Sequence, residues 1–168
     1  GPRPQATFTV FHYGSRMEIN GLPLHPLVVH AAVVFGPLAA VTALVYVVLP
    51  GWRDRLRWPL LALALVATGA VVMAYLSGES FREANSFFNA PGPVADRIDE
   101  HEELAELLLW VTLGFGLVAT LTALLHPRSG ALRVVLNLVM AVAALGVLVL
   151  VVLTGDAGAK AVWDGFSG

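Results

Sequence analysis

Four long stretches of the chain contain no charged residue, and apolar side chains dominate each of them. The uncharged gaps hold 34, 21, 21 and 22 residues, and they lie between Glu18 and Arg53, Arg57 and Glu79, Glu106 and Arg128, and Arg133 and Asp156. A helix needs about 20 apolar residues to cross the hydrocarbon core of a membrane. The pattern therefore predicts an all-α protein, a single up-down bundle of four transmembrane helices.

Prolines and glycines at the edges of these stretches indicate where the helices begin and end. Pro26 suits the first position of a helix, where its missing N–H group costs nothing, and Gly36-Pro37 predicts a kink within the first helix. Residues 1–16 are interpreted as an expression-derived segment, because Gly1-Pro2 is typical of the remnant that a protease leaves. Within one domain of residues 17–168, we expect an acidic loop over about 77–100 and helices over about 26–49, 59–76, 95–125 and 132–153.

Basic and acidic residues are sorted between the two ends of the predicted bundle. The connections that join helices 1 and 2 and helices 3 and 4 hold three and two arginines, whereas the segment from Glu79 to Glu106 holds eight carboxylates and two arginines. Cytoplasmic loops of membrane proteins are enriched in Lys and Arg. We therefore expect the two short loops in the cytoplasm, and the acidic loop and both termini on the outer face of a bacterial plasma membrane.

Composition agrees with a membrane protein and excludes several other classes. The chain is 57% hydrophobic and 13% charged, with a mean hydropathy of +0.76, whereas soluble domains carry about 25% charged residues. Lys and Arg total 10 against 12 Asp and Glu, so no basic surface indicates a nucleic-acid partner. Because the chain has no cysteine, disulfides, iron–sulfur clusters, thiolate zinc sites and covalently attached haem are excluded.

The predicted topology brings several polar residues to the outer end of the bundle. Imidazole is a good ligand for haem iron, zinc or copper, and carboxylates can complete a metal site. His30 lies about one turn inside an apolar helix, and ionisable residues within a span are functional candidates. The alternative for His30 is a core histidine bonded to a helix carbonyl. The candidate ligands are His25, His30, Glu79, His101 and Asp156.

The other histidines and the glycines are assigned by their spacing. His101 shares a helix face with Leu104, so we expect it to point into the bundle, with a solvated helix cap as the alternative. His25 precedes Pro26 and is expected at the helix cap, and His126 is interpreted as a loop residue. Glycines within the spans either let helices approach closely or clear space for a planar cofactor. They are Gly69, Gly114, Gly116 and Gly146.

Two motifs resemble those of a known family. The opening LHPLVVH, residues 24–30, and the tail TGDAGAKAVW, residues 154–163, are similar to the HPLxVH opening and TGxxGAxxVW tail of a family of bacterial four-helix predicted membrane proteins, described as a domain of unknown function. The resemblance implies that His25, His30 and His101 are the motif histidines. Family members fused to cytochrome c modules imply redox work at the outer face. The family's tail often has a histidine where this chain has Asp156.

Three functional hypotheses follow. The first is a b-type haem protein for electron transfer, with axial ligands His30 and His101 on diagonal helices and His25 as the substitute ligand. The second is a divalent metal site for zinc or copper, whose ligands are the same three histidines with Glu79 or Asp156. The third is an accessory subunit or small transporter, although we expect no internal repeat between helices 1–2 and helices 3–4. The first two favour a redox carrier or metal-binding protein over an enzyme, and the roles open to the metal site are metal handling and metal-assisted hydrolysis. The expected partners are the lipid bilayer and either a redox protein or a larger membrane complex.

Overall fold

The described part of the chain folds into four long helices that follow a short hairpin of two strands. The structure is a computed structural model that describes residues 18–19, 22–83 and 91–166, so the predicted expression-derived segment lies outside the described residues. The elements are β1 (Glu18–Ile19), β2 (Leu22–Pro23), α1 (Leu24–Val48), a 3-10 turn (Pro50–Trp52), α2 (Arg53–Glu83), α3 (Pro93–Leu124) and α4 (Ala131–Phe166). β1 and β2 pair antiparallel.

Each of the four helices is long and apolar enough to cross a membrane, which confirms the prediction of an all-helical membrane protein apart from the two short strands. α1 packs mainly against α2 and α4, and α3 packs mainly against the same two helices. α1 and α3 are therefore diagonal in the bundle. The end that holds the α1–α2 and α3–α4 connections is called the basic end here, and the end that holds the starts of α1 and α3 is called the acidic end.

Small side chains form the core where the helices meet. Fully buried alanines recur along α1 and α3 at Ala39, Ala43, Ala119 and Ala123. Small residues let helices approach closely, which matters in lipid because lipid offers no hydrophobic drive for helix association. Large aliphatic side chains face outward instead, and Val142 is 71% exposed. The bundle is therefore closely packed inside and apolar outside, as a surface in contact with lipid requires.

The helices are longer than the sequence pattern predicts. α2 starts at Arg53 rather than near Pro59 and continues past Ser77-Gly78. α4 continues past Gly155 to Phe166. A glycine inside a helix costs about 1 kcal/mol relative to alanine, which is too little to end a helix whose sides pack against its neighbours. Glycine therefore does not stop either helix here.

The predicted acidic loop is largely helical. In the described part of residues 77–100, only 91–92 lie outside α2 and α3, so carboxylates such as Glu79 and Glu100 project from helices.

The proline within the first helix does not interrupt it. Pro37 lies inside α1, which is one continuous helix. Neighbouring helices and local adjustments compensate for the backbone bond that a proline removes in a membrane helix.

The two halves of the bundle carry an internal repeat of 80 residues, so the expectation of no repeat is wrong. Residues 35–44 read FGPLAAVTAL and residues 115–124 read FGLVATLTAL, with six of ten positions identical. Buried positions match at the same spacing, since Ala64 and Ala144 are both 0% exposed.

Candidate functional site at the acidic end

His25, in the first turn of α1, faces α2. Its Nδ1 lies 2.9 Å from the carbonyl oxygen of Ala74 and 3.3 Å from Ser77 Oγ, and its ring stacks on Phe81 with 6.1 Å between the ring centroids. A Cβ atom at Gly78 would lie 3.1 Å from Cε1 of this ring. Glycine at this position therefore gives the imidazole room to lie directly against the backbone of α2.

His101 repeats this arrangement in the second half of the bundle. Its Nδ1 lies 3.0 Å from the carbonyl oxygen of Thr154 in α4, and a Cβ atom at Gly158 would lie 3.0 Å from its Cε1. Thr154 and Gly158 follow Ala74 and Gly78 by 80 residues. In both halves, a histidine of an odd-numbered helix thus bonds a carbonyl of the next helix and packs against the glycine one turn further on.

These carbonyl contacts determine the tautomer of both rings. A carbonyl oxygen only accepts hydrogen bonds, so Nδ1 carries the proton in His25 and in His101. In each neutral ring Nε2 then keeps its lone pair. Metal-ligating histidines show the same pattern, with one ring N–H held by a carbonyl and the other nitrogen free to bind.

His30 lies on the outer surface of α1 and does not face the bundle. Its side chain is exposed, and its Nδ1 donates to the carbonyl oxygen of Pro26 at 2.6 Å. It shares a stripe with Leu27 and Val34, which are 54% and 59% exposed. His30 and His101 therefore do not meet across the core, because helix rotation places the former toward lipid.

The two carboxylates that were candidate ligands are exposed. Asp156 pairs with Lys160 one turn along α4 at 2.6 Å, and Glu79 lies on the outer side of α2. Another acid at this end, Glu102 of α3, pairs with Arg82 of α2. This ion pair joins the first part of α3 to the last turn of α2. Within the parts of the chain that the structure describes, no group of three or more His, Asp or Glu side chains is placed to hold a metal ion.

Two of the four glycines predicted within the spans serve helix packing. A Cβ atom at Gly116 would overlap Thr68 Oγ1, and one at Gly146 would lie 3.1 Å from a valine methyl group of α3. Gly69 and Gly114 are exposed, and a Cβ atom at either would meet nothing within 4 Å. The glycines that contact His25 and His101 are Gly78 and Gly158 instead.

His126, interpreted from the sequence as a loop residue, belongs to a polar cluster at the basic end. Its Nε2 donates to Asp54 Oδ1 at 2.6 Å, so its Nδ1 accepts from the Tyr46 hydroxyl at 2.8 Å. The Asp54 side chain is 94% exposed, whereas Tyr46 is 1% exposed. The cluster therefore leads from the surface into the core, and it joins α1, α2 and the turn after α3.

The inward-facing histidines lie on the buried faces of their helices. His25 precedes Ala32 by seven residues, and His101 precedes Leu108 by seven; both apolar residues are buried. Seven residues correspond to about two helical turns, so each histidine lies on the buried face of its helix. The sequence analysis favoured His30 because of its position one turn inside the apolar span. Position along a helix does not indicate which face of that helix is buried.

Comparison with known proteins gives one match. A family model described as a predicted membrane protein (DUF2231) matches residues 21–166. No curated protein and no solved structure matches the chain.

Proposed function

The chain belongs to this predicted membrane protein family, and on that premise we propose that it is a b-type haem protein of the bacterial plasma membrane that transfers electrons. His25 and His101 are the proposed axial ligands. The observation that carries the proposal is this pair of imidazoles on diagonal helices, each with Nδ1 bonded to a backbone carbonyl. That anchoring leaves Nε2 of both rings available to a metal.

The number of ligands favours haem over a bare metal ion. Zinc sites take three or four protein ligands, and the described residues offer no group of that size. A porphyrin supplies four nitrogen ligands itself, so haem iron needs only one or two axial ligands from the protein. A pair of histidines is therefore a complete protein contribution to a haem site and an incomplete one to a zinc site.

His25 replaces His30 as the proposed partner of His101 for a geometric reason. The ring of His30 is exposed and bonded within its own helix, whereas His25 and His101 each reach across to a neighbouring helix. The carbonyls of Ala74 and Thr154 hold these rings in one orientation, and such contacts raise the basicity of the free ring nitrogen.

Two histidine ligands suit electron transfer. A bound haem supplies a one-electron iron couple, and two axial imidazoles leave no open coordination position for oxygen chemistry. The arginines of the basic end favour a cytoplasmic location for that end. The proposed site then lies at the outer side of the membrane, within reach of a redox partner there.

An optical spectrum of the purified protein tests the proposal. We expect a reduced-minus-oxidised spectrum typical of six-coordinate low-spin haem. The substitutions His25→Ala and His101→Ala should each lower the haem content per polypeptide by about tenfold or more. Loss of a residue that only supports a metal ligand already lowers metal affinity by about tenfold, so loss of a ligand should cost at least as much. His30→Ala is the matched control, because it removes an exposed histidine from the same helix, and it should retain the haem.

Two results would contradict the haem proposal. The first is a colourless protein that takes up no haem on reconstitution. The second is haem that depends on His30 and not on His25. If the colourless protein instead holds stoichiometric zinc or copper by elemental analysis, the divalent metal site replaces the haem site as the function of the histidine pair.

A further inference from the structure

A cleft opens at the basic end between the end of α1, the end of α3 and the start of α4. Part of the space between its walls is open solvent, and the enclosed part is about 10 Å³, which is room for about one water-sized group. The cleft therefore accepts one small polar group, such as a hydroxyl, while the rest of the bound molecule stays outside. Its lining includes Thr122, Arg128, Leu132, Arg133, Leu136 and Asn137.

Two polar atoms in this lining are buried without a hydrogen-bond partner. Thr122 and Asn137 are 4% and 7% exposed, and neither Thr122 Oγ1 nor Asn137 Oδ1 is paired within the described residues. Leaving a buried polar group unpaired is costly. Thr68 and Thr120 avoid this cost by donating to the carbonyl one turn back, whereas Thr112 Oγ1 and Thr154 Oγ1 are also buried and unpaired. Thr122 and Asn137 differ from those two threonines because they line a cleft that a ligand can enter.

Two arginines give the cleft a positive rim. The guanidinium of Arg133 is held in place, because Nε donates to the carbonyl oxygen of Arg128 and Nη2 to that of His126, both at 2.9 Å. The side chain of Arg128 is exposed, and no ion pair holds it among the residues described. The rim thus combines one fixed and one adaptable cation, an arrangement suited to a phosphate group.

We propose that this cleft binds the headgroup of an anionic phospholipid that carries hydroxyl groups, such as a phosphoglycerol. Basic pockets between transmembrane helices on the cytoplasmic side bind anionic lipid headgroups. Leu132 and Leu136 line the same cleft, and Leu132 is 48% exposed. Apolar side chains beside a cationic rim match a ligand with a charged head and acyl chains.

The unpaired atoms select among anionic headgroups. Asn137 Oδ1 accepts only, so it needs a donor, whereas a phosphodiester offers acceptors alone. An ammonium group would provide a donor, but Arg128 and Arg133 would repel it. A hydroxyl group donates and accepts without charge, so it can pair with Asn137 Oδ1 and with Thr122 Oγ1. The headgroup is therefore expected to combine a phosphate with neutral hydroxyls.

Lipid retention in nanodiscs measured by native mass spectrometry tests this proposal. Bilayers contain phosphatidylcholine with either phosphatidylglycerol or phosphatidylmethanol, which has the same charge and no headgroup hydroxyl. We expect phosphatidylglycerol to be retained about threefold to tenfold better than phosphatidylmethanol, the range of one or two neutral hydrogen bonds. The variants Asn137→Leu and Thr122→Val should remove this difference and keep the affinity for anionic over neutral lipid.

Matched charge variants test the rim. Arg128→Gln should weaken retention of both anionic lipids, whereas Arg55→Gln, which removes an exposed arginine from the same end, should not. Equal retention of the two anionic lipids by the unsubstituted protein would overturn the proposal, as would equal effects of Arg128→Gln and Arg55→Gln. Full competition by soluble glycerol 3-phosphate would also overturn it, because the source would then be a free phosphate ester rather than a lipid.

Discussion

Two glycines of α3 that lie two residues apart have opposite surroundings. A Cβ atom at Gly116 would overlap Thr68 Oγ1 on α2, whereas a Cβ atom at Gly114 would meet nothing within 4 Å. Thr68 cannot yield easily, because its hydroxyl donates to the carbonyl oxygen of Ala64 at 2.7 Å. Gly116 is therefore required by helix packing, and Gly114 is not.

We expect Gly116→Ala to lower the free energy of unfolding by about 1–3 kcal/mol through overpacking. Gly114→Ala is the control and should leave stability unchanged or raise it by up to about 1 kcal/mol, the helix preference of alanine. Thermal unfolding in detergent micelles, followed by circular dichroism, measures both. Thr68→Ala should restore stability to the Gly116→Ala variant. Equal effects of the two alanine substitutions would contradict the assigned packing.

At the scale of the helices, each half of the bundle uses an arginine at the start of a helix to bond backbone carbonyls of the segment before it. Arg53 at the start of α2 donates from Nε to the carbonyl oxygen of Tyr46 at 3.0 Å and from Nη2 to that of Val47 at 2.9 Å. Arg133, 80 residues later, bonds carbonyls of the turn after α3. The last carbonyls of a helix lack partners within it, so Arg53 completes the end of α1, whereas Arg133 fixes the turn between α3 and α4.

Arg53→Gln and Arg133→Gln should each destabilise the protein by about 1–2 kcal/mol, because each loses two charge-assisted hydrogen bonds that are partly open to solvent. The comparison is Arg55→Gln. The guanidinium of Arg55 lies over the ring of Trp52, and its loss should change the free energy of unfolding by less than about 0.5 kcal/mol. Denaturant titration of secondary structure gives all three values. An effect of Arg55→Gln as large as the other two would indicate a general charge effect instead of the loss of bonds to backbone carbonyls.

Continuity of the helices also belongs to this scale. Apolar length predicts the four helices, but the glycines at 78 and 155 predict ends that do not occur. Gly78 instead makes room for the ring of His25. A residue that usually ends helices is thus used for close approach, and only the packing of a neighbouring helix distinguishes the two uses.

At the scale of the whole molecule, the two halves are joined at the basic end by a hydrogen-bonded chain. Tyr46 of the first half donates to His126 of the second, which in turn donates to Asp54. Tyr46 and His126 occupy equivalent positions of the internal repeat, 80 residues apart. Equivalent residues that contact each other lie near the axis relating the two halves, so this contact lies at the centre of the basic end.

Removing the buried member of this chain should cost more than removing the exposed one. Tyr46→Phe leaves Nδ1 of His126 without a donor and should lower the free energy of unfolding by about 1–3 kcal/mol. Asp54→Asn replaces an exposed charged acceptor of the His126 hydrogen bond with a neutral one and should cost less than about 1 kcal/mol. Thermal unfolding of the two variants in the same micelles compares them, and a larger loss for Asp54→Asn would contradict the assigned roles.

The sequence by itself determined the membrane class, the number of helices and the sorting of charge to the two ends. These follow from residue type alone, because an uncharged, apolar stretch of about 20 residues has its lowest free energy in the hydrocarbon core of a membrane. It also contained the internal repeat, because that repeat is a match of residue types 80 positions apart.

The tertiary structure alone decided which histidines form a pair and what holds them. The rotation of α1 about its axis turns His30 outward and His25 toward α2, and that rotation depends on how small residues of adjacent helices fit together. The carbonyls of Ala74 and Thr154 are distant in sequence from the histidines they bind. Contacts between helices, unlike the apolar length of each helix, depend on the shapes of both surfaces, and no single stretch of sequence contains both.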